Sequence, residues 1–197
     1  MDIILATRNP SKALQIQTLF AGSRFAIKTQ AQAGIEGEAV EDSGSLEANA
    51  LKKVQFVHER VPDASAMADD TGLFIDAIGS EPGVEAAYWG GADLTTDERM
   101  RYCLDRFSGA SDRSATFRTV VAVMSPQGEV RMFVGEVRGA LLAAPRVSPQ
   151  PNMPYSALFI PEREATSWAE MSTEYENTVS HRGKAFRQVR EFLESFG

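Results

Sequence analysis

Cysteine is nearly absent. Cys103 is the only one in 197 residues, which rules out an internal disulfide. It falls in the register Met100, Cys103, Leu104, Phe107 of an expected helix, where a free thiol reads as plain core. Basic stretches are also missing, and the formal charge is −7. That excludes the electrostatic footprint of a protein that grips nucleic-acid polymer, although a few placed cations can still hold a small anion. No apolar run approaches the ~20 residues of a membrane-spanning helix. The opening Met1-Asp2-Ile3-Ile4-Leu5-Ala6-Thr7 carries no basic leader or cleavage-site pattern, so a cytoplasmic protein with no membrane partner is the expectation. Internal repeats, low-complexity tracts and an interdomain linker are not seen either. One α/β domain over residues 1–197, two-lobed at most, suits this length.

What is present is a strand–loop–helix opening. Ile3 to Thr7 reads as a strand, Asn9 suits a helix N-cap and Pro10 the first helical position. Leu46, Ala50, Val54 and Val57 make an apolar stripe in a helix expected from Ser45 to about Arg60, with Asn49, Lys53 and Phe56 on its other face. Ala64 to Ala68 and Leu73 to Ile78 read as two strands joined by a polar corner, Asp69-Asp70-Thr71-Gly72. Thr95 and Glu98 form a capping box for a helix through Phe107 that stops at Gly109. Thr116 to Met124 and Val130 to Val134 flank Ser125-Pro126-Gln127-Gly128 as a hairpin. Prolines at 145, 149, 151, 154 and 161 predict an irregular loop over Ala143 to Pro161. The last helix begins at Ser180 and is expected to turn Phe186, Val189, Phe192, Leu193 and Phe196 inward.

Three short motifs offer chemistry, and each has two readings. Thr7-Arg8-Asn9-Pro10-Ser11-Lys12 is a phosphate cradle at the positive end of a helix dipole, or only a capped helix with an exposed lysine. Glu41-Asp42 and Asp69-Asp70 are hard oxygen ligands suited to Mg²⁺, or a solvated turn and a local cap. Ser180-His181-Arg182-Gly183 presents donors to a carbonyl or phosphate, or caps a surface helix.

Taken in order, Ala6-Thr7-Arg8-Asn9-Pro10-Ser11-Lys12, Asn49-Ala50, Ala68-Asp69-Asp70-Thr71-Gly72-Leu73 with Asp76-Ala77 and Pro82-Gly83-Val84, and Glu170-Met171 with Ser180-His181-Arg182-Gly183-Lys184-Ala185 resemble the inosine triphosphate pyrophosphatase family. The resemblance spans the chain. It implies a long, mixed, twisted sheet flanked by helices, with a nucleotide in a cleft between two lobes, and a homodimer. It also implies Mg²⁺-dependent hydrolysis of a purine nucleoside triphosphate to the monophosphate and pyrophosphate. By position, Thr7, Asn9 and Lys12 would hold phosphates with Lys53 assisting. Glu41 and Asp70 would bind the metal, Asp70 would activate water with Asp69 in support, and His181 and Arg182, with Ser180 beside them, would read a 6-oxo group.

The chain departs from the family where the base would sit. The glycine-rich segment becomes Asn152-Met153-Pro154-Tyr155-Ser156-Ala157, so Met153 replaces the stacking aromatic and Ser156 the aspartate. A lysine becomes Glu176, and the arginine that follows Pro-Gly becomes Tyr88. Phosphate and metal motifs stay intact, so altered base specificity is the expectation. Glu176 and Ser156 as base-edge residues would suit an aminopurine; against this, the retained His181-Arg182 favours an oxo group, and the other reading of Glu176 is a surface charge or a partner of Arg182. The reading from another class is a nucleotide-binding regulatory protein with negligible turnover.

Overall fold

In the computed structural model, which describes residues 2–195, β1 (Asp2–Leu5) lies parallel to both β2 (Ala26–Thr29) and β3 (Ser65–Ile75). The remaining pairings, β3 with β4 (Pro82–Gly83) and β5 (Ser114–Met124), β5 with β6 (Val130–Leu141) and β6 with β7 (Phe159–Pro161), are antiparallel. The result is one mixed sheet in the order β2-β1-β3-β5-β6-β7, with β4 on the edge of β3. Five helices flank it: α1 (Pro10–Leu19), α2 (Leu46–His58), α3 (Thr96–Arg106), α4 (Thr173–Val179) and α5 (His181–Glu194).

Side-chain alternation along β3 sorts the core. Met67 joins Ile3, Leu5, Ile16, Val121 and Phe186 on the face covered by α1 and α5. Ala66 and Ala68 join Ile4, Leu46, Ala50 and Val54 on the face covered by α2. Further along, Leu73 and Ile75 enter a separate cluster with Cys103, Phe107, Phe117, Phe159 and Trp168. Long strands β3 and β5 therefore run from one lobe into the other. Cys103 is fully buried there, and burial pushes its thiol up to about 12, consistent with a core residue.

The expected polar corner is instead the middle of β3. Pairing with β5 runs unbroken from Ala66–Met124 to Ile75–Ala115, through Asp69, Asp70, Thr71 and Gly72. Ladder hydrogen bonds hold the backbone extended, and the aspartates are tolerated because each meets a cation. Leu73 to Ile78 likewise splits, with the strand ending at Ile75 and a short 3₁₀ turn over Asp76–Ile78. β6 extends to Leu141, and the proline-rich segment contributes β7 at its end. Of the residues expected to face inward on the last helix, Phe186 and Val189 are buried, Phe192 and Leu193 are partly so, and Phe196 lies outside the described residues.

What positions the site is an early stop. Pairing of β1 with β3 ends at Leu5–Met67, and β4 joins β3 only at Leu73–Gly83. Between these points the β3 edge has no strand beside it among the described residues, so Asp69 and Asp70 sit at a gap beyond the C-terminal end of β1. Open sheets commonly bind ligands outside the carboxyl ends of parallel strands.

Helix α5 is set into this frame by a close contact. A Cβ at Gly135 on β6 would overlap the carbonyl oxygen of His181 and lie 2.6 Å from the backbone nitrogen of Ala185. Gly135→Ala is therefore expected to destabilise the fold by at least about 1–3 kcal/mol, the usual range for overpacking. Val134→Ala, at an exposed neighbour, should stay within about 0.5 kcal/mol. Urea unfolding midpoints check this, and a Gly135→Ala midpoint equal to that of the parent would contradict the packing.

Candidate active site

The gap in the β3 edge opens into a cleft of about 480 Å³. Thr7, Asn9, Lys12, Glu41, Lys53, Asp69, Asp70, Ser156, Glu176, His181 and Arg182 all line it. Ser180 does not. It is fully buried, and its hydroxyl caps α5 by accepting the Gly183 N–H at 3.1 Å.

Period-two alternation sends the adjacent aspartates to opposite faces of β3. Asp69 faces α1 and α5, where Oδ2 meets Lys12 Nζ at 3.1 Å and accepts from Arg182 Nε at 3.3 Å. Thr71 donates its hydroxyl to the same oxygen at 3.3 Å. Burial alone would raise the Asp69 carboxyl, but Lys12, Arg182 and Lys53 overcome it and hold the group well below the usual carboxylate range. The other oxygen, Oδ1, is buried without a partner.

Asp70 faces α2. Its two oxygens accept from Lys53 Nζ at 2.8 Å and Asn49 Nδ2 at 3.1 Å. These donors are four residues apart on one helical face, so the helix presents both to the same carboxylate. Lys53 also donates to the Asp69 carbonyl at 3.1 Å and pairs with Glu41 Oε2 at 2.7 Å. Burial pulls the Lys53 ammonium down, yet Asp70, Glu41 and Asp69 raise it above its ordinary value, so it stays charged. Glu41 is pushed up by burial despite Lys53. No trio of His, Cys, Asp or Glu converges among the described residues, so a cation here would be shared with ligand oxygens.

At the α1 entrance the helix is capped as expected, but Lys12 is partly buried rather than exposed. Asn9 Oδ1 caps the helix by accepting from the N–H groups of Ser11 at 3.0 Å and Lys12 at 3.2 Å. Pro10 begins the helix, and Lys12 projects from its first turn to the carboxylate. Asn9 Nδ2 and Ser11 Oγ donate to the carbonyls of Asn152 and Pro151, tying this loop to the proline-rich segment.

The other end of the cleft is aromatic. His181 stacks on Phe117 at 5.0 Å and 14°, and its centroid lies 4.9 Å from that of Trp168. Its Nδ1 shares a hydrogen bond with Thr119 Oγ1 at 2.5 Å, and Thr119 in turn bonds Thr71 at 2.7 Å. Burial, with Arg182 adding to it, lowers the imidazole well below its ordinary value, so it is neutral at pH 7. Arg182 Nη1 donates to Gln15 Oε1 at 2.6 Å, and Gln15 Nε2 donates to Glu176 Oε1 at 2.9 Å. Gln15 and Thr119, which the motifs missed, hydrogen-bond the cleft-lining Glu176, Arg182 and His181. Their only sequence signal is a polar residue on a buried face, beside an outward Leu14 in the case of Gln15.

The match to known proteins follows the same pattern from end to end. The model of the Ham1 family matches residues 3–192. A dITP/XTP pyrophosphatase of Caldanaerobacter subterraneus subsp. tengcongensis is 33% identical over 195 residues, 98% of this chain and 96% of the relative. Another from Porphyromonas gingivalis is 35% identical over 192 residues, 97% and 96% of the two chains. Among solved structures, a HAM1 protein from Coxiella burnetii superposes with a TM-score of 0.86 at 28% identity, covering 99% of each chain.

A carboxyl held below its usual range stabilises the fold above about pH 4, and that contribution is lost as pH falls further. The wild-type melting temperature should therefore drop below about pH 4. Asp69→Asn should lose about 3–5 kcal/mol at pH 7, because it strands Lys12 and Arg182, and should flatten that acid limb. Thermal unfolding across pH checks both, and a variant as stable as the parent at pH 7 would contradict the assignment.

Proposed function

The chain belongs to the Ham1 family, and from that premise and the chemistry of its cleft we propose that it hydrolyses inosine and xanthosine triphosphates, ribo or deoxy, to the monophosphate and pyrophosphate. The observation that carries this reading is the cluster of Lys12, Lys53, Asp69 and Asp70 at the sheet-edge gap. Two partly buried ammoniums in a cleft that the hydroxyl of Thr7 and the amide of Asn9 also line supply the donors that a triphosphate needs. No observation favours a protein that binds without turnover.

Ham1-family pyrophosphatases generally need a divalent metal. The residues here fit one: Glu41 and Asp70 share a single lysine, so two carboxylates meet one cation on this side of β3. Glu41 and Asp70 would hold the ion, Mg²⁺ in this reading, together with substrate phosphates. When bound, it neutralises phosphate charge and favours deprotonation of water.

The chain's own residues divide the remaining work. Lys12 and Lys53 hold the phosphates, with Thr7 and Asn9. Asp70, oriented by Asn49 and Lys53, takes a proton from water as its oxygen bonds to the α-phosphorus. The bond from that phosphorus to the bridging oxygen breaks in line, and pyrophosphate leaves with the electron pair. Asp69 stays ionised and anchors Lys12 and Arg182, and no covalent intermediate is needed. We place this chemistry in a homodimer, as the family resemblance implies, and in the cytoplasm by default. Light scattering should then give twice the 21.5 kDa chain mass, and a monomer at every concentration would remove the dimer.

Asp70→Asn should fold and lose at least about 100-fold in kcat on dITP with Mg²⁺. Lys12→Ala should weaken triphosphate binding and also destabilise the fold, because it takes one of the two cations from the buried Asp69. Near-wild-type turnover by Asp70→Asn would overturn the assignment of Asp70.

A further inference from the structure

Glu176 is only 4% exposed, yet it lines the cleft and forms no ion pair within the described residues. Its two oxygens instead accept from neutral amides, Gln15 Nε2 at 2.9 Å and Gln150 Nε2 at 3.0 Å. Each carboxylate oxygen can accept more than one hydrogen bond, so acceptor capacity remains on both. A carboxylate buried without a cation is costly to keep unless it serves something. Burial raises its carboxyl, opposed by Gln150, Arg182 and Gln15.

The surroundings identify what it would serve. Gln150 Nε2 also donates to the Trp168 carbonyl at 3.3 Å, so Glu176 and Trp168 belong to one end of the cleft. That end holds an aromatic wall of Phe117, Trp168 and His181. The Trp168 indole N–H is buried with no partner, a donor in want of an acceptor. Ser156, the other expected edge residue, is already engaged: its hydroxyl donates to the Met153 carbonyl at 2.7 Å and accepts the Gln150 N–H at 2.8 Å. An acceptor-only carboxylate in a cleft end that also holds an unfilled donor matches a lactam, which pairs a carbonyl oxygen with a ring N–H. It does not match adenine, whose N1 is itself an acceptor.

Resting on the proposed function, we infer that Glu176 is a specificity-determining residue that accepts the N1–H of a 6-oxopurine, held in place by Gln15 and Gln150. Because Gln15 also accepts from Arg182, which is tied to Asp69, correct seating of the base is linked by hydrogen bonds to the carboxylate that anchors Lys12. The aminopurine preference expected from Glu176 with Ser156 gives way to a lactam preference read by Glu176 alone.

The test compares kcat/KM for ITP, its 1-methyl derivative and ATP, on wild type and on Glu176→Gln. Wild type should lose at least about tenfold on the 1-methyl compound, which has no N1–H, and on ATP. Glu176→Gln can turn its amide to donate to adenine N1, so the ITP/ATP ratio should fall at least about tenfold. A structural role alone would lower all three substrates by one factor and leave the ratio unchanged, and that result overturns the inference. Should the variant fail to fold, wild type decides: equal kcat/KM for ITP and its 1-methyl derivative also overturns it. Calorimetric binding of IMP and 1-methyl-IMP reads the same contact without turnover. Absence of hydrolysis with a tenfold binding preference for IMP would sink the pyrophosphohydrolase reading while supporting this contact, and equal binding would sink the contact.

Discussion

Asp69 meeting Lys12 and Arg182 inside the sheet is the interaction on which the rest depends. It joins β3 to α1 and to α5, the latter link spanning 113 residues of chain. A carboxylate with 1% of its side chain exposed survives only because two cations face it, and those cations are held only because it is ionised. Breaking either side leaves a buried charge alone. Stability and the seating of Lys12 are thus one problem, solved by one residue.

Strand geometry then gives two neighbouring aspartates different tasks. Because successive side chains in a strand point to opposite faces, Asp69 turns to α1 and α5, and Asp70 turns to α2. The first is neutralised within the protein. The second shares Lys53 with Glu41 and otherwise meets a neutral amide, Asn49, which suits it to the water-activating role proposed for it. The early end of β1 leaves the edge of this stretch of β3 unpaired, and without that gap another strand would run alongside both aspartates.

Local chemistry was the legible part of the sequence. Caps at Asn9, Thr95 and Ser180 depend on residues three or fewer positions away, and they occur where the spacing places them. The mixed α/β architecture followed from the family resemblance. Less legible was anything whose cause lies far along the chain. Asp69-Asp70-Thr71-Gly72 has the composition of a corner, and only the ladder to β5 makes it a strand. Helix α4 was missed because its seven residues, with Tyr175 facing solvent, offer no apolar stripe. Gln15 looks like an ordinary helix residue until Glu176 and Arg182 arrive from the other end of the chain. Ser156 resembled a reader of the base, yet its hydroxyl is spent within its own loop.

The central claim is that this cleft directs water to the α-phosphorus of a purine triphosphate and expels pyrophosphate. Phosphorus NMR of ITP turnover in ¹⁸O-labelled water, with Mg²⁺ present, tests it most directly. The account predicts inosine monophosphate and pyrophosphate in equal amounts, with the label in the monophosphate. Release of orthophosphate with the diphosphate, or label appearing in pyrophosphate, would contradict it.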